Sequence, residues 1–384
     1  MSLAELKPPS WVDRPKHLAR MAERLVTFDR VSVDTESNSL HAYREQVCLI
    51  QFSTPDEDYL VDPITLVDLS PLGPLFADPK IEKIFHAAEY DLICLRRDFH
   101  FQFANLFDTM MAGRILGRTA VGLGSMLEAE FGIVLDKRFQ RADWAQRPLP
   151  PAQLAYARLD THYLLSLRNR LYEELSASGR LQLAEEDFQR MAKIYSNGLV
   201  LPEEPAEPSE AVWRVSGVQD LTPQQVSVLR ELVLYRDRQA QAANLPAFKI
   251  IGNQSLVEIA LAAPLDRDAL LATGALSHRQ LERHAASLLE AVKRGLSAPP
   301  MRRQRLPRPD ERYLNRIEAL RNWRKHTAQG LGVESDIILP RDLLHQLAEQ
   351  DPRELADLQT TLGESPWRFQ RYGEAILAVL EKTR

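Results

Sequence analysis

The apolar positions of this chain change their period near its middle. Up to about Asn197 they come in short runs divided by polar turns. Val31 and Val33 alternate with Arg30, Ser32 and Asp34, the period of a strand with one buried face. The runs Val47–Phe52, Tyr59–Val61 and Ile81–Phe85 follow, several of them separated by Gly, Pro and Asp. Glu89–Phe99 and the segment around Ala155–Asp160 read as helical. Strands interleaved with helices predict a mixed sheet flanked by helices.

Beyond Asn197-Gly198 strand signals nearly vanish, and apolar residues recur at helical spacing. This second part repeats itself. A shift of 88 positions places Tyr235-Arg236 on Trp323-Arg324, Ala240 on Ala328, Ile250 on Ile338 and Leu256 on Leu344. The same shift places Ala260 on Ala348, Pro264 on Pro352 and Leu270 on Leu358 without a gap. Two copies of a small helical bundle are predicted, their repeated apolar residues forming the cores and the two prolines marking helix boundaries. The organisation expected is an α/β domain over 1–198, an acidic Pro-rich linker over 199–212, a first bundle over 213–297, a basic Pro-rich linker over 298–309 and a second bundle over 310–384.

Within the α/β part four acids stand out. Asp34 and Glu36 lie two apart on a strand, so they share one face and repel each other unless a cation lies between them. Asp91 falls where the run ending at His86 gives way to a helix. Tyr156 and Asp160 are four apart and share one side of a helix. An Asp-x-Glu pair alone usually caps or decorates a surface; the ordered set says more. Carboxylates supply hard oxygen ligands and compensating charge for Mg²⁺ or Mn²⁺. Two such ions roughly 4 Å apart can clamp a phosphodiester. A phenol beside them can hold the attacking water or share in its deprotonation.

Asp34-Thr35-Glu36, His86-Ala87-Ala88-Glu89-Tyr90-Asp91 and Tyr156-Ala157-Arg158-Leu159-Asp160 resemble the three exonuclease motifs of the DEDD superfamily, in its tyrosine-bearing branch. Phe107-Asp108-Thr109, Gly122-Leu123, Leu135-Asp136-Lys137, Asp143-Trp144, Arg147-Pro148-Leu149 and Gln153-Leu154 extend the likeness to the ribonuclease D family. The repeated bundles resemble HRDC domains, which follow the nuclease in that family. The resemblance implies a ribonuclease H-like α/β exonuclease domain followed by two all-α HRDC-like bundles. It also implies a 3′→5′ exoribonuclease that trims tRNA precursors and other small structured RNAs. Asp34, Glu36, Asp91 and Asp160 would hold two Mg²⁺ or Mn²⁺ ions, with Tyr156 completing the catalytic set and nucleoside 5′-monophosphates as products. The nuclease of the Werner-syndrome helicase carries similar motifs and acts on DNA, so a DNA exonuclease is the nearer alternative. A catalytically silent RNA-binding scaffold is the more distant one.

A net charge of −5 qualifies this picture. Residues 1–196 hold 23 Lys/Arg against 28 Asp/Glu, and the remainder 25 against 25. Such a balance argues against broad coating of nucleic acid, yet suits a grip on one strand end, with two divalent ions offsetting the four acids. Local residues then matter: His86, Lys137, Trp144 and Arg147 are the candidate RNA contacts, and Arg302, Arg303 and Arg305 lie in the basic linker. Each has a plainer reading. His86 can be a packed histidine, Lys137 and Arg147 can pair with Asp136 or Asp143, and Trp144 can anchor its loop. Asp108 is expected to cap the helix that starts at Thr109. Gly113, Gly117, Gly122 and Gly124 lack the Gly-Lys-Ser/Thr of a phosphate loop, which removes an NTPase reading. Cys48 and Cys94 in apolar sequence suggest buried thiols in a reducing compartment. With no signal-peptide core and no apolar run of spanning length, a cytoplasmic protein without membrane contact is expected.

Overall fold

The computed structural model describes residues 7–197, 208–303 and 310–384. The expected acidic linker therefore lies outside the described residues up to position 207, and the basic linker, Arg305 included, from position 304.

The α/β part runs β1 (Ser10–Val12), α1 (Pro15–Leu25), β2 (Arg30–Ser37), β3 (Val47–Ser53), β4 (Asp58–Val61), α2 (Gly73–Ala77), β5 (Glu82–Phe85), α3 (Glu89–Phe99), β6 (Leu106–Asp108), α4 (Thr109–Ile115), α5 (Leu123–Phe131), α6 (Pro151–His162), α7 (Leu164–Ala177) and α8 (Leu181–Ser196). The strands form one mixed sheet in the order β1-β4-β3-β2-β5-β6, in which β3 is antiparallel to both neighbours and the other pairings are parallel. The outer strands β1 and β6 were not foreseen, since three residues are too few to show alternation. All seven residues of β3 are buried, so it reads as a nearly continuous apolar run in which only Gln51 and Ser53 are polar.

Alternation along β2 decides what lies above and below it. Val31 and Val33 enter a core shared with Leu18 and Leu25 of α1 and Leu92 and Leu95 of α3. Ser32, Asp34 and Glu36 therefore point to the opposite face. There Leu49 and Leu60 pack with Ala157 of α6, and Ile84 and Phe107 pack with Leu164 and Leu167 of α7. The acids thus emerge beneath α6, which carries their partners.

The first bundle comprises α9 (Pro223–Ala243), α10 (Ala247–Ile250), α11 (Asn253–Ala262), α12 (Arg267–Ala272) and α13 (His278–Ser297). The second comprises α14 (Glu311–Leu331), α15 (Ser335–Ile338), α16 (Arg341–Gln350), α17 (Leu355–Thr361) and α18 (Pro366–Glu381). Every helix of the second bundle starts 88 positions after its counterpart, and the repeat reaches the backbone between them. Asn244 and Gly332 both end a long helix at positive φ (47° and 65°), as Ala263 and Asp351 end the third helix of each copy (44° and 45°). Arg236 donates to the carbonyl of Ile251 at 3.2 Å, and Arg324 to that of Leu339 at 2.8 Å. Gly295 lets α13 approach α9 closely, because a Cβ there would stand 2.4 Å from the Cα of Val228.

Two compact units result. One gathers residues 38–46, between β2 and β3, with the first bundle, where the Tyr43 hydroxyl donates to Asp237 of α9 at 2.9 Å. The other joins the rest of the α/β part to the second bundle. Arg368 on α18, fully buried, pairs with Glu186 at 2.5 Å and Asp187 at 2.8 Å on α8. Arg190 reaches Asp342 at 2.6 Å, and Arg114 reaches Glu334 at 2.5 Å and Asp336 at 2.7 Å. No helix among the described residues is long and apolar enough to cross a membrane.

Candidate active site

Three carboxylates meet where β2 ends under α6. Ligand oxygens of Asp34, Glu36 and Asp160 all lie within 4.8 Å of one another. Register shifts between Glu36 and Ser37, a bulge of the kind that re-aims side chains beside active sites. Helix α6 starts at Pro151, whose fixed φ suits a first helical position, and one face of it delivers Tyr156 and Asp160 together. The Tyr156 hydroxyl bonds the Asp160 carboxylate.

Asp91 comes from the first turn of α3 and stands outside that close triad. It is held from the other face of β2 by Thr35, whose hydroxyl donates to its Oδ1 at 2.5 Å. The start of α3 is fixed in turn by Asp108. That carboxylate accepts from the backbone N–H of Met111 (2.9 Å), capping α4 as expected, and from those of Ala87 (3.2 Å) and Ala88 (2.7 Å). Ala87 adopts φ 62°, a conformation costly for a residue with a Cβ and held here by those bonds.

Crowding four buried acids has a clear electrostatic result. Burial, then Asp91, Asp160 and Glu36, raises Asp34 well above the carboxylate range, and burial with Asp160 and Asp91 raises Glu36. Burial chiefly lifts Asp91 to about 7 despite the Thr35 bond, and Asp160 to about 7 despite the Tyr156 bond. Burial and the neighbouring acids also push Tyr156 upward, so the phenol keeps its proton. A divalent cation relieves this repulsion, and an all-oxygen donor set without thiolate or imidazole suits a hard ion of the Mg²⁺ or Mn²⁺ type. The residues fit such ions.

The remaining sequence-predicted residues separate. His86 is half-buried, with Nδ1 2.9 Å from the Thr109 hydroxyl. That hydroxyl donates to the Phe85 carbonyl at 3.0 Å, so His86 must carry its proton on Nδ1 and present Nε2 as an acceptor. Burial lowers its pKa, which keeps the ring neutral at pH 7. Lys137 is exposed, while Asp136 pairs with Arg138 at 2.6 Å. Trp144 is only 1% exposed and packs with Cys48, Leu49, Leu60 and Leu149. Its ring offers no open face to a base; it backs the Tyr156 ring, 6.1 Å away, which Phe139 approaches at 5.9 Å.

Arg147 is equally committed, to neither of the acids foreseen for it. Nε and Nη2 bond both oxygens of Asp62 (2.8 and 2.6 Å), Nη2 also bonds the Cys48 carbonyl (2.7 Å), and Nη1 bonds the carbonyls of Trp144 and Gln146 (both 2.8 Å). Its five N–H groups are thereby used, clamping the Trp144 loop to the sheet and leaving none for a phosphate. Sequence reasoning missed Thr35 and the reach of Asp108 to Ala87 and Ala88. Thr35 sits inside the first motif, yet only the strand and helix together bring it to Asp91.

Comparison with known proteins agrees with this geometry. Residues 9–176 match the 3′-5′ exonuclease family model, and residues 225–292 and 314–380 each match the HRDC domain. Ribonuclease D of Gluconacetobacter diazotrophicus is 33% identical over 301 residues, 78% of this chain and 75% of that one. The exosome complex exonuclease RRP6 of Saccharomyces cerevisiae is also 33% identical over 75% of this chain, which spans 41% of that longer relative. The crystal structure of Escherichia coli RNase D, described as an exoribonuclease involved in structured RNA processing, superposes with a TM-score of 0.68 at 26% identity, covering 98% of this chain and 99% of that one. An exonuclease domain carrying an acidic cluster, followed by two HRDC domains and matched along nearly its whole length, makes this chain a member of the ribonuclease D family of 3′→5′ exoribonucleases.

Proposed function

We propose that the protein shortens structured RNAs, tRNA precursors among them, from their 3′ ends by hydrolysis at a two-metal site, releasing nucleoside 5′-monophosphates. The observation that carries this is the convergence of Asp34, Glu36 and Asp160 within 4.8 Å, with Asp91 braced alongside by Thr35. These four would hold two divalent ions, Mg²⁺ or Mn²⁺, directly or through water. Bound there, such ions supply Lewis acidity and a water acidic enough to attack at neutral pH.

The chain's own groups do the rest. Tyr156 keeps its proton, so it acts as a neutral hydroxyl that orients the attacking water rather than as a phenolate base. The rings of Trp144 and Phe139 behind it limit where that hydroxyl can point. The neutral His86 offers an Nε2 acceptor to a ribose hydroxyl, and the exposed Lys137 is free to meet backbone phosphates. Two buried cysteines outside any disulfide suit a reducing, cytoplasmic setting.

The test is incubation of the full chain with a 3′-extended tRNA transcript and a matched DNA strand, with Mg²⁺, Mn²⁺ or EDTA, products being resolved nucleotide by nucleotide. Asp34→Asn runs in parallel, since it removes a ligand but little volume. Metal-dependent shortening of RNA that the variant loses is the expected result. A fully active Asp34→Asn protein would refute the site, and preferred shortening of DNA would refute the substrate.

A further inference from the structure

Gln51 has no explanation in the fold. It lies on β3 as the direct cross-strand partner of Asp34, so the two side chains emerge side by side on the face beneath α6. It is 0% exposed, and neither its amide nitrogen nor its amide oxygen finds a hydrogen-bond partner. Its place under α6 follows from its neighbours two residues either way. Leu49 packs with Ala157, and the Ser53 hydroxyl meets that of Thr161 at 2.7 Å. Gln51 therefore sits under the turn from Ala157 to Thr161, which carries Asp160, with Asp34 beside it. A leucine or methionine there would fill the space without the cost of burying an unpaired amide.

We propose that Gln51 is a positioning residue of the metal site, its amide N–H donating to the rear of the Asp34 carboxylate when that group holds a divalent ion. The proposal rests on the metal-site reading above. A carboxylate ligand needs such a partner to fix its orientation, and groups that hold metal ligands from behind commonly change affinity 10- to 100-fold when removed. An uncharged donor does this without adding a fifth charge to the cluster. The bare protein gains nothing from it, because the buried amide there is left without a hydrogen-bond partner.

The test compares Mn²⁺ binding by titration calorimetry in full-length wild-type, Gln51→Met and Asp34→Asn proteins, alongside melting of the metal-free forms. The Met variant should melt no lower than wild type without metal, yet bind Mn²⁺ roughly tenfold more weakly. Its kcat on a 3′-extended RNA should fall while KM stays level. A Met variant that binds Mn²⁺ within twofold of wild type overturns the role of Gln51. Where that variant does not fold, Gln51→Asn, which withdraws the amide by one methylene, decides the matter by the same change in affinity. Wild-type protein binding Mn²⁺ no better than Asp34→Asn would instead sink the metal-site reading itself.

Discussion

Replacing Arg368 with methionine tests how the second bundle is held to the nuclease. The guanidinium is wholly buried and spends its donors on Glu186, Asp187 and the carbonyls of Ile337 and Ile338. Glu186 does double duty, since its other oxygen accepts from the N–H groups of Trp367 (2.6 Å) and Arg368 (3.2 Å) in the first turn of α18. Methionine keeps much of the length and leaves little cavity, so the change isolates the charge. Glu186 retains its helix-end partners, whereas Asp187, 8% exposed, loses its buried cation. Breaking a buried pair from one side costs about 3–5 kcal/mol. At about 2–4 °C per kcal/mol for a large domain, melting should fall by roughly 6–20 °C. Scanning calorimetry of the full chain at pH 7.5 reads the shift, and adding Asp187→Asn to the variant should recover part of it. A single variant melting within about 2 °C of wild type, worth about 1 kcal/mol or less on the same scale, would refute the idea that this cluster holds α18 to α8.

Other outcomes follow from the site. Tyr156→Phe should lower kcat by roughly 10²-fold or more, as for a lost water-orienting group, while Mn²⁺ affinity by calorimetry stays near wild type; equal loss of both would make the phenol a metal-site residue instead. Asp91 and Asp160 titrate near 7 in the folded, metal-free protein against about 3.9 when unfolded, so the stability they lend is complete below pH 4 and is lost as pH rises through 7. The melting-point gain on adding Mn²⁺ should therefore grow between pH 5.5 and 8, and a gain that is flat with pH would contradict the shifts. Arg147→Lys keeps a charge but cannot serve five acceptors, so kcat should fall with KM for RNA unchanged; a raised KM alone would return Arg147 to the RNA surface.

The residues that do chemistry were legible because their pattern is local. Asp34 and Glu36 two apart on a strand, and Tyr156 and Asp160 four apart on a helix, declare a shared face wherever the rest of the chain goes. The repeat was legible for a similar reason, each bundle carrying its own core, so the offset of 88 survives down to single carbonyl partners of Arg236 and Arg324. What holds the chemistry in place was not legible. Arg147 looked like a phosphate contact because a guanidinium reads alike before its partner is known, and that partner, Asp62, lies 85 positions away, just past the end of β4. Trp144 in a polar loop could be read as an anchor, but nothing local named Cys48, Leu49 and Leu60 as the residues that close over it.

Gln51 marks the limit most sharply. In sequence it is one polar residue inside an apolar run, the ordinary mark of a strand with a wetted face. Only the pairing of β3 with β2 places it beside Asp34, and only α6 above removes the water that would have satisfied it. A polar side chain in a strand carries information once both neighbours are known. Here those neighbours are a carboxylate that needs orienting and a helix that seals the space, so the orphaned amide is better explained by the site than by the fold.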